Sequence, residues 1–283
     1  MTAVVCVGLA TLDTIAAVPR HPAADELVFA SDVVVTGGGP AATAAVTLAR
    51  LGVRTAFVGS VGDDDAGRAI ADGLEREGVE IGELAVVPGA RSPQSAILVG
   101  GGTRAIAAFL GTGLPPLELG PRAQELCLGA SWVHVDQTGY AAVGGLRGRV
   151  RLSVDGGIPI EGLDLRDVAL YAPTESALRE RFGSPAGALD AGAALVVVTR
   201  GAEGSVAYTA AGEVIEAPGF AVDVVSTLGA GDVFHGALLA RLVGDAAPDA
   251  DTLRDALAFA NRCAARSCEA LDGRSGIPTA AAG

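Results

Sequence analysis

The sequence contains no lysine, and all 20 of its cationic side chains are arginine. This absence excludes the phosphate-binding lysine of Walker-type nucleotide hydrolases, a Schiff-base lysine and the lysine of a protein-kinase site. Any chemistry that the chain performs therefore proceeds without an ammonium side chain.

Cysteine, histidine and aromatic side chains are also scarce. The chain has four cysteines and three histidines, no two cysteines stand as Cys-x-x-Cys, and aromatic residues make up 4% of it. This distribution argues against a zinc site or a disulfide framework and favours reduced thiols. Since 50% of the 283 residues are hydrophobic, Ala, Val, Leu and Gly must fill a sizeable core.

Positive charge is outnumbered, and the formal net charge is -13. That balance argues against nucleic acid or an anionic membrane as a partner, because phosphate neutralisation needs a basic face. The apolar N-terminal segment lacks a basic region and is interrupted by Asp13, so we interpret it as a buried strand and not as a signal peptide. No uncharged apolar run is long enough for a membrane span. We therefore expect a cytoplasmic protein with a small-molecule ligand.

Apolar strand-like segments alternate with helix-like segments along most of the chain. This alternation predicts an α/β fold with a doubly wound, mainly parallel sheet and helices on both faces. Two β-rich stretches break the alternation, one with a strand expected over residues 27–36, and we interpret them as a small β-sheet lid. The predicted division places residues 1-12, 37-94 and 113-283 in the core and residues 13-36 and 95-112 in the lid.

The segment Gly229-Ala230-Gly231-Asp232 comes directly before an amphipathic helical pattern. The first turn of a helix leaves backbone N–H groups free, and the helix dipole favours negative charge beside them. Glycine allows a ligand to approach this backbone closely. The segment therefore predicts an anion hole, with Asp232 placed to accept a proton from a substrate hydroxyl. A plain loop closed by an N-capping aspartate fits the same residues.

Two longer segments resemble the signatures of the ribokinase-like (PfkB) family of sugar kinases. VVSTLGAGDVFHGALLARL (residues 224–242) resembles the C-terminal signature, and GGGPAATAAVTLARLG (residues 37–52) resembles the N-terminal one. VGDDDAG, VVVTRGAEGS and FANRCAA are similar to further family segments, so the resemblance spans nearly the whole chain. It implies a ribokinase-like core with ATP and catalytic sites, a β lid, and ATP- and Mg²⁺-dependent phosphorylation of a primary hydroxyl of a small sugar.

The resemblance assigns a role to each matching residue. Asp232 is the expected general base, and Gly229, Ala230 and Gly231 are the expected anion hole for the γ-phosphate. The expected sugar-binding residues are Asp13, Gly38, Gly39, Thr43 and Arg104. The expected nucleotide-binding residues are Thr199, Gly201, Gly204, Thr227 and Asn261. Asp13 also fits a turn residue, Thr227 a local hydroxyl cap, and Arg104 an exposed hairpin arginine.

The sequence departs from the family pattern at several positions. Ser226 replaces an aspartate that helps to build a monovalent-cation site, so dependence on such a cation stays open. Thr43 stands where an asparagine often contacts the sugar. The family motif Asn-x-x-Glu, which organises Mg²⁺, aligns with residues 174–177, where Glu175 is out of register and is the one candidate metal ligand.

The motifs GGGPAATAA, SPQSAILV and GRSGIP look most like bacterial sulfofructose kinase within the family. A sulfonate needs cationic or amide donors. The aligned positions hold Leu27, Ala108 and Thr138, which cannot pair with a sulfonate. We therefore expect a neutral or differently charged sugar.

Other interpretations use the same residues. A nucleoside kinase of the same fold is one alternative, and a sugar-binding protein with little or no kinase activity is another. Residues 37–42 also fit the dinucleotide pattern G-x-G-x-x-A, but they follow a predicted lid strand, which argues against a dehydrogenase. His134 is interpreted as a buried strand residue. The β composition of the lid suggests a homodimer formed through it.

Overall fold

The computed structural model describes residues 2–245 and 247–280 of the chain. The predicted core ranges begin at residue 1 and end at residue 283, so their outermost residues lie outside the described part. Among the described residues, no helix combines the length and the apolar character needed to cross a membrane.

The described residues form strands and helices in alternation. The strands are β1 (Val4–Val7), β2 (Thr11–Ala17), β3 (Asp32–Gly38), β4 (Thr55–Gly62), β5 (Glu80–Val87), β6 (Gln94–Gly100), β7 (Thr103–Phe109), β8 (Trp132–Val135), β9 (Leu152–Asp155), β10 (Val168–Ala172), β11 (Leu195–Thr199), β12 (Ser205–Thr209) and β13 (Val214–Ala217). The helices are α1 (Pro40–Arg50), α2 (Asp65–Arg76), α3 (Pro121–Gly129), α4 (Glu175–Phe182), α5 (Pro185–Asp190), α6 (Ala230–Leu242) and α7 (Ala250–Ser267).

The main sheet has nine strands in the order β13-β12-β11-β10-β9-β8-β1-β4-β5. The pairings from β5 to β11 are parallel, whereas β12 and β13 add two antiparallel strands at one edge. The chain moves from β1 to β4 on one side and reaches β8 on the other, so the strand order switches beside β1. In sheets of this kind, ligands bind at the carboxyl ends of the strands next to the switch.

Helices cover both faces of the main sheet. Buried side chains of α1, α2, α6 and α7 form one apolar cluster with the sheet, and those of α3, α4 and α5 form a second cluster. β1 is buried at every position, which explains its unbroken apolar sequence. All four cysteines are buried and free. This arrangement confirms the predicted doubly wound α/β fold.

A separate sheet of four strands has the order β3-β2-β6-β7. β2 pairs antiparallel with β3 and parallel with β6, and β6 pairs antiparallel with β7. The four strand ends nearest the core lie in one row across the sheet, because Thr11 is opposite Gly38, and Gln94 is opposite both Leu12 and Phe109. We call this sheet the lid, and its presence confirms the predicted β appendage.

Two strands differ from the expectation. The strand expected over residues 27–36 forms over Asp32–Gly38, because Gly37 and Gly38 continue the ladder with β2. The sequence pattern did not predict β5, whose apolar alternation is broken by Glu80 and Glu83. β5 forms because it extends the parallel ladder beside β4 at the sheet edge.

Candidate active site

A cavity lies between the lid and the carboxyl ends of the parallel strands. The lid contributes Asp13 and Ser95, the strand ends contribute Asp155 and Thr199, and the beginning of α6 contributes Asp232. The predicted site residues that line this cavity are Asp13, Gly38, Gly39, Thr43, Arg104, Thr199, Thr227, Gly229, Gly231 and Asp232. The fold therefore brings most of the predicted site residues together, although they come from distant parts of the sequence.

The α6 N-terminus opens onto this cavity. Gly229 precedes the helix with a φ of 71°, in the left-handed region that favours glycine, and its carbonyl accepts a 2.9 Å hydrogen bond from Val233 N–H. The helix begins at Ala230, inside the segment that was expected to precede it, so the predicted anion hole forms the cap and the first turn. A Cβ added to Gly231 would have no heavy atom of the described residues within 4 Å, so its backbone can be approached closely.

Asp232 stands in the first turn of α6 with its carboxyl group in the cavity wall. Burial raises the pKa of Asp232 to about 7, and the negative charge of Asp155 adds to this increase. The charges of His235 and Arg274 offset part of it. A carboxyl group with this pKa can exchange a proton near neutral pH, which is the property required of a general base.

A buried histidine-carboxylate pair lies next to Asp232. His235 is one helical turn further along α6, and its Nδ1 lies 3.1 Å from Asp155 Oδ2 at the end of β9. Burial alone would lower the pKa of His235, but the Asp155 carboxylate outweighs this and raises it. Sequence analysis missed both residues. The spacing of His235 three residues after Asp232, on the same face of the helix, was the available signal.

His134 lies beside this pair and is fully buried, as its apolar strand predicted. Its Nδ1 is 3.0 Å from Ser153 Oγ, and its ring centroid is 5.6 Å from that of His235. Burial lowers the pKa of His134 to about 3, so this ring is neutral.

The lid contributes buried polar side chains to the wall of the cavity. Asp13 Oδ1 and Thr11 Oγ1 are buried, and neither has a hydrogen-bond partner in the described residues. Both side chains pack on Gly38, where an added Cβ would lie 2.0 Å from Asp13 Oδ2. Burial raises the pKa of Asp13, and the nearby hydroxyls of Thr11 and Ser95 and the charge of Arg274 offset part of this rise. Such groups suit the hydroxyl groups of a sugar, which both donate and accept.

Thr43 is also buried in the cavity wall, but its hydroxyl is engaged by the protein. Arg274 Nε donates to Thr43 Oγ1 at 3.2 Å, and Arg274 Nη2 donates to Gly38 O at 2.9 Å. Arg274 was not identified from the sequence, because its loop lies more than 200 residues from the residues that it contacts. The structure therefore adds a cationic side chain to the wall that holds Thr43.

Asp136 fixes the backbone at the switch in strand order. Its buried carboxylate follows β8 and accepts hydrogen bonds from Leu9 N–H at 2.8 Å and from Ala41 N–H at 3.2 Å. It also accepts from the N–H groups of Thr138 and Gly139, at 2.8 Å and 3.0 Å. This one side chain therefore joins the ends of β1 and β8 to the start of α1, beneath the cavity.

The expected nucleotide-binding residues divide into two groups. Thr199 and Thr227 line the cavity, whereas the positions that build the neighbouring turn are Gly201, Gly204 and Asn261. Asn261 Nδ2 donates to the carbonyls of Ala217 and Pro218, both at 3.1 Å. A Cβ on Gly204, whose φ is 97°, would lie 2.2 Å from Ala217 O. These contacts fix the segment that follows β13.

Arg104 and Thr227 connect the lid to the core. Arg104 Nη1 donates to Thr227 Oγ1 at 2.5 Å, across the cavity from β7 to the segment before α6. Neither side chain is buried. This hydrogen bond brings together the arginine that was expected to bind the sugar and the threonine that was expected to contact phosphate, and both line the cavity.

Ser226 and Glu175 lie outside the cavity wall. Ser226 is buried, its Oγ accepts from Leu228 N–H at 3.2 Å, and its N–H donates to Cys268 O at 3.1 Å. Glu175 is exposed in the first turn of α4 and lies 3.7 Å from Arg179. The structure does not bring the Glu175 carboxylate to the cavity, although Thr174 immediately before it does line the wall.

The chain is similar to known proteins in sequence and in fold. Residues 1–118 and 165–280 match the pfkB family carbohydrate kinase model. The ATP-dependent ribose-1-phosphate kinase of Halopiger xanaduensis is 31% identical, covering 99% of this chain and 96% of that enzyme. The ribokinase of Bacillus subtilis is 27% identical, covering 97% and 96%. The structure of Arabidopsis thaliana ribokinase with ribose and ATP superposes with a TM-score of 0.83 at 22% identity, covering 99% of this chain and 97% of that one.

Proposed function

The chain belongs to the pfkB family of carbohydrate kinases, as its two signatures predicted, and we propose that it transfers the γ-phosphoryl group of ATP to a primary hydroxyl of a small sugar. The observation that carries this proposal is the position of Asp232. Its carboxyl group lies in one cavity with Gly231 of the first turn of α6 and with the unpartnered polar atoms of Asp13 and Thr11.

The proposed reaction follows from these positions. Asp13 and Thr11 hold hydroxyl groups of the sugar against the Gly38 backbone. Asp232 takes the proton from the primary hydroxyl as its oxygen attacks the γ-phosphorus. The N–H groups of the α6 first turn donate to the phosphoryl oxygens, whose negative charge is spread widely in the transition state. The His235–Asp155 pair keeps a balanced charge beside Asp232, so the base can ionise near neutral pH.

The cavity wall carries groups that suit the phosphates of a nucleoside triphosphate. Gly231 leaves open space beside the helix dipole, and the hydroxyls of Thr174 and Thr199 line the same region. Mg²⁺ would offset charge on the phosphates, and it is held mainly by phosphate oxygens and water in such sites. Because Glu175 points to Arg179, we propose that this chain adds no carboxylate from α4 to the metal.

A monovalent cation has a weak role in this proposal. Ser226 brings no charge to the turn before α6, and its hydroxyl is occupied by Leu228 N–H. A cation near this turn would find only neutral oxygen atoms from Ser226. We therefore propose that catalysis by this chain depends little on potassium.

We also propose that two copies pair through their lids. Large apolar side chains are exposed on the lid and on the segment before β3, and the four most exposed are Phe29 (81%), Leu27 (76%), Leu110 (67%) and Val35 (63%). Exposed apolar side chains gathered in one region are typical of protein interfaces.

An ATP-consumption screen over ketoses, aldoses, their phosphates and nucleosides tests the proposed activity. Asp232→Asn should lower the turnover rate by at least about 10²-fold, because the asparagine amide cannot accept the proton of the sugar hydroxyl. ATP binding should stay measurable. Asp251→Asn is the matched control, since Asp251 occupies the first turn of α7 and is exposed. Unchanged turnover in Asp232→Asn contradicts the assignment of the base.

Two outcomes of the same screen would replace the proposed function. Turnover confined to nucleosides favours a nucleoside kinase of the same fold. Binding of sugars without any turnover favours a sugar-binding protein.

A further inference from the structure

Arg274 is a buried cation for which the described residues provide no counter-ion. Its side chain is 6% exposed, yet no carboxylate oxygen among residues 2–245 and 247–280 lies within 4.0 Å of its guanidinium. Its two hydrogen-bond acceptors, Thr43 Oγ1 and Gly38 O, are both neutral. A buried charge is costly unless it is paired, so an isolated guanidinium indicates a missing anion.

The guanidinium keeps one nitrogen available for that anion. Nε and Nη2 are used by Thr43 and Gly38, whereas Nη1 has no hydrogen-bond partner in the described part of the chain. Nη1 lies beside Gly37, and a Cβ at Gly37 would be only 2.2 Å from it. Arg274, Gly37 and Gly38 all line the cavity. The free N–H groups are therefore located where the sugar is proposed to bind.

The protein holds Arg274 in this position before any ligand arrives. Arg50 Nη1 donates to Arg274 O at 2.5 Å, and Arg50 is itself fixed by Glu77 at 2.7 Å. Ile277 N–H donates to the same carbonyl at 3.0 Å. A side chain that is already ordered loses little entropy on binding, which favours recognition of a specific group.

The carboxylates nearest to Arg274 have other tasks. Glu77 is paired with Arg50, and Asp232 is the proposed base. Asp13 influences Arg274 electrostatically from outside ion-pair distance, and its unpartnered oxygen is suited to a hydroxyl. Burial lowers the pKa of Arg274 to about 10, which still leaves it charged at neutral pH.

We propose that Arg274 binds an anionic substituent of the sugar, a phosphate or a carboxylate, and makes an anionic sugar the preferred phosphoryl acceptor. This inference rests on the proposed function and names its substrate class. Arginine suits the task because its planar guanidinium donates to two oxygens of either group. Asp13 then orients the hydroxyl groups, and Asp232 acts on the primary hydroxyl at the other end of the same molecule.

Matched pairs of sugars test the preference in the wild-type protein. The pairs are ribose and ribose 1-phosphate, fructose and fructose 6-phosphate, and glucose and gluconate, and every member has a free primary hydroxyl. We expect kcat/KM to be at least about 10-fold higher for the anionic member of a phosphorylated pair. The first two pairs report a phosphate and the third a carboxylate. Equal or better use of all three neutral sugars overturns the inference.

Substitutions of Arg274 then connect the preference to this side chain. Arg274→Met should lower kcat/KM for the anionic sugar by about 10- to 100-fold more than for its neutral partner, whereas Arg274→Lys should retain part of the preference. Arg122→Met is the matched control, because Arg122 is 79% exposed and pairs with Glu83 outside the cavity. An equal loss for both members indicates a merely structural role and overturns the inference. If Arg274→Met does not fold, the ratio of kcat/KM for anionic and neutral sugars in Arg274→Lys and in the wild type still tests the role of Arg274.

The transfer assay and a calorimetric binding titration of the same six sugars together separate this inference from the proposed function. Transfer to neutral and anionic sugars with equal efficiency refutes the role of Arg274 and leaves the kinase function intact. Absence of transfer from ATP to all six refutes the proposed function for these sugars. In that case, tighter binding of anionic sugars that is lost in Arg274→Met still supports the role of Arg274, and equal binding refutes it.

Discussion

At the scale of single residues, a substitution of Gly231 should affect catalysis without affecting folding stability. An added methyl group would meet no heavy atom of the described residues within 4 Å, so Gly231→Ala should fold at least as stably as the wild type. The same methyl group would occupy the space proposed for the phosphoryl oxygens. We expect kcat to fall by about 10²- to 10³-fold, and a coupled ATPase assay with thermal unfolding measures both quantities.

Gly73 provides the control for this substitution. It lies inside α2, and an added Cβ there also meets nothing within 4 Å. Gly73→Ala should raise the free energy of unfolding by about 0.5–1 kcal/mol and leave kcat unchanged. Full activity in Gly231→Ala would show that phosphate does not approach this turn.

The raised pKa of Asp232 predicts how activity depends on pH. A general base must be ionised, so kcat/KM for the sugar should rise with pH and level off above about 7, the pKa of Asp232. A pH–rate profile between about pH 4 and pH 9 measures this rise. An acidic limb below pH 5 would mean that Asp232 is not the titrating base.

The same shift predicts the opposite trend for stability. The folded-state pKa of Asp232 lies above its ordinary value of 3.8, so the native state binds the proton more tightly than the unfolded chain does. This group therefore contributes a loss of stability as the pH rises from about 4 to about 7. Asp232→Asn should raise Tm by about 2–5 °C at pH 8, and by less at pH 5, in scanning calorimetry.

At the scale of elements, the turn from Ser226 to Gly229 decides how the anion hole is held. The hydroxyl of Ser226 accepts from Leu228 N–H, and its own N–H binds Cys268 O, so the turn is stabilised without an ion. We predict that replacing tetramethylammonium with K⁺ at constant ionic strength changes kcat less than about twofold, since a neutral hydroxyl attracts a cation far less than a carboxylate does.

Ser226→Asp is the informative variant for this turn. The added carboxylate should create a measurable, saturable stimulation by K⁺ that the wild type lacks. Strong saturable stimulation of the wild type itself would contradict the prediction.

The elements that the sequence predicted best are those with a complete local signal. β1 is an unbroken apolar run, which led to its interpretation as a buried strand, and α1 has proline at its first position and ends before Gly52, which are typical helix boundaries. β5 gave no such signal, because Glu80 and Glu83 interrupt its apolar alternation. Its formation depends on β4, which no local pattern reveals.

The candidate site was predicted only where a motif is contiguous in the sequence. Gly229 to Asp232 form one such motif. Asp155 and His235 come together from separate elements, and Arg274 reaches Gly38 from the other end of the chain. Neither contact has a periodicity or a spacing that a sequence pattern could show, since both depend on how the sheet and helices pack.

At the scale of the whole molecule, the exposed apolar side chains of the lid predict self-association. Val35→Glu together with Phe29→Glu should convert a dimer into a monomer, because a charge cannot be buried unpaired in an apolar interface. Size-exclusion chromatography with light scattering measures the mass. Val214→Glu is the control, since Val214 is 57% exposed on β13 at the far edge of the main sheet. A wild-type monomer at micromolar concentration would contradict the proposed pairing.

The row of strand ends at the base of the lid has a mechanical consequence. All four connections to the core lie along one line, so the lid is a cantilever that tilts about a single axis. Arg104 is five residues along β7 from Phe109, which gives a lever arm of about 16 Å. A tilt of only 10° would then carry Arg104 about 3 Å from Thr227. A small change in the tilt of the lid is thus enough to form or break the hydrogen bond between Arg104 and Thr227.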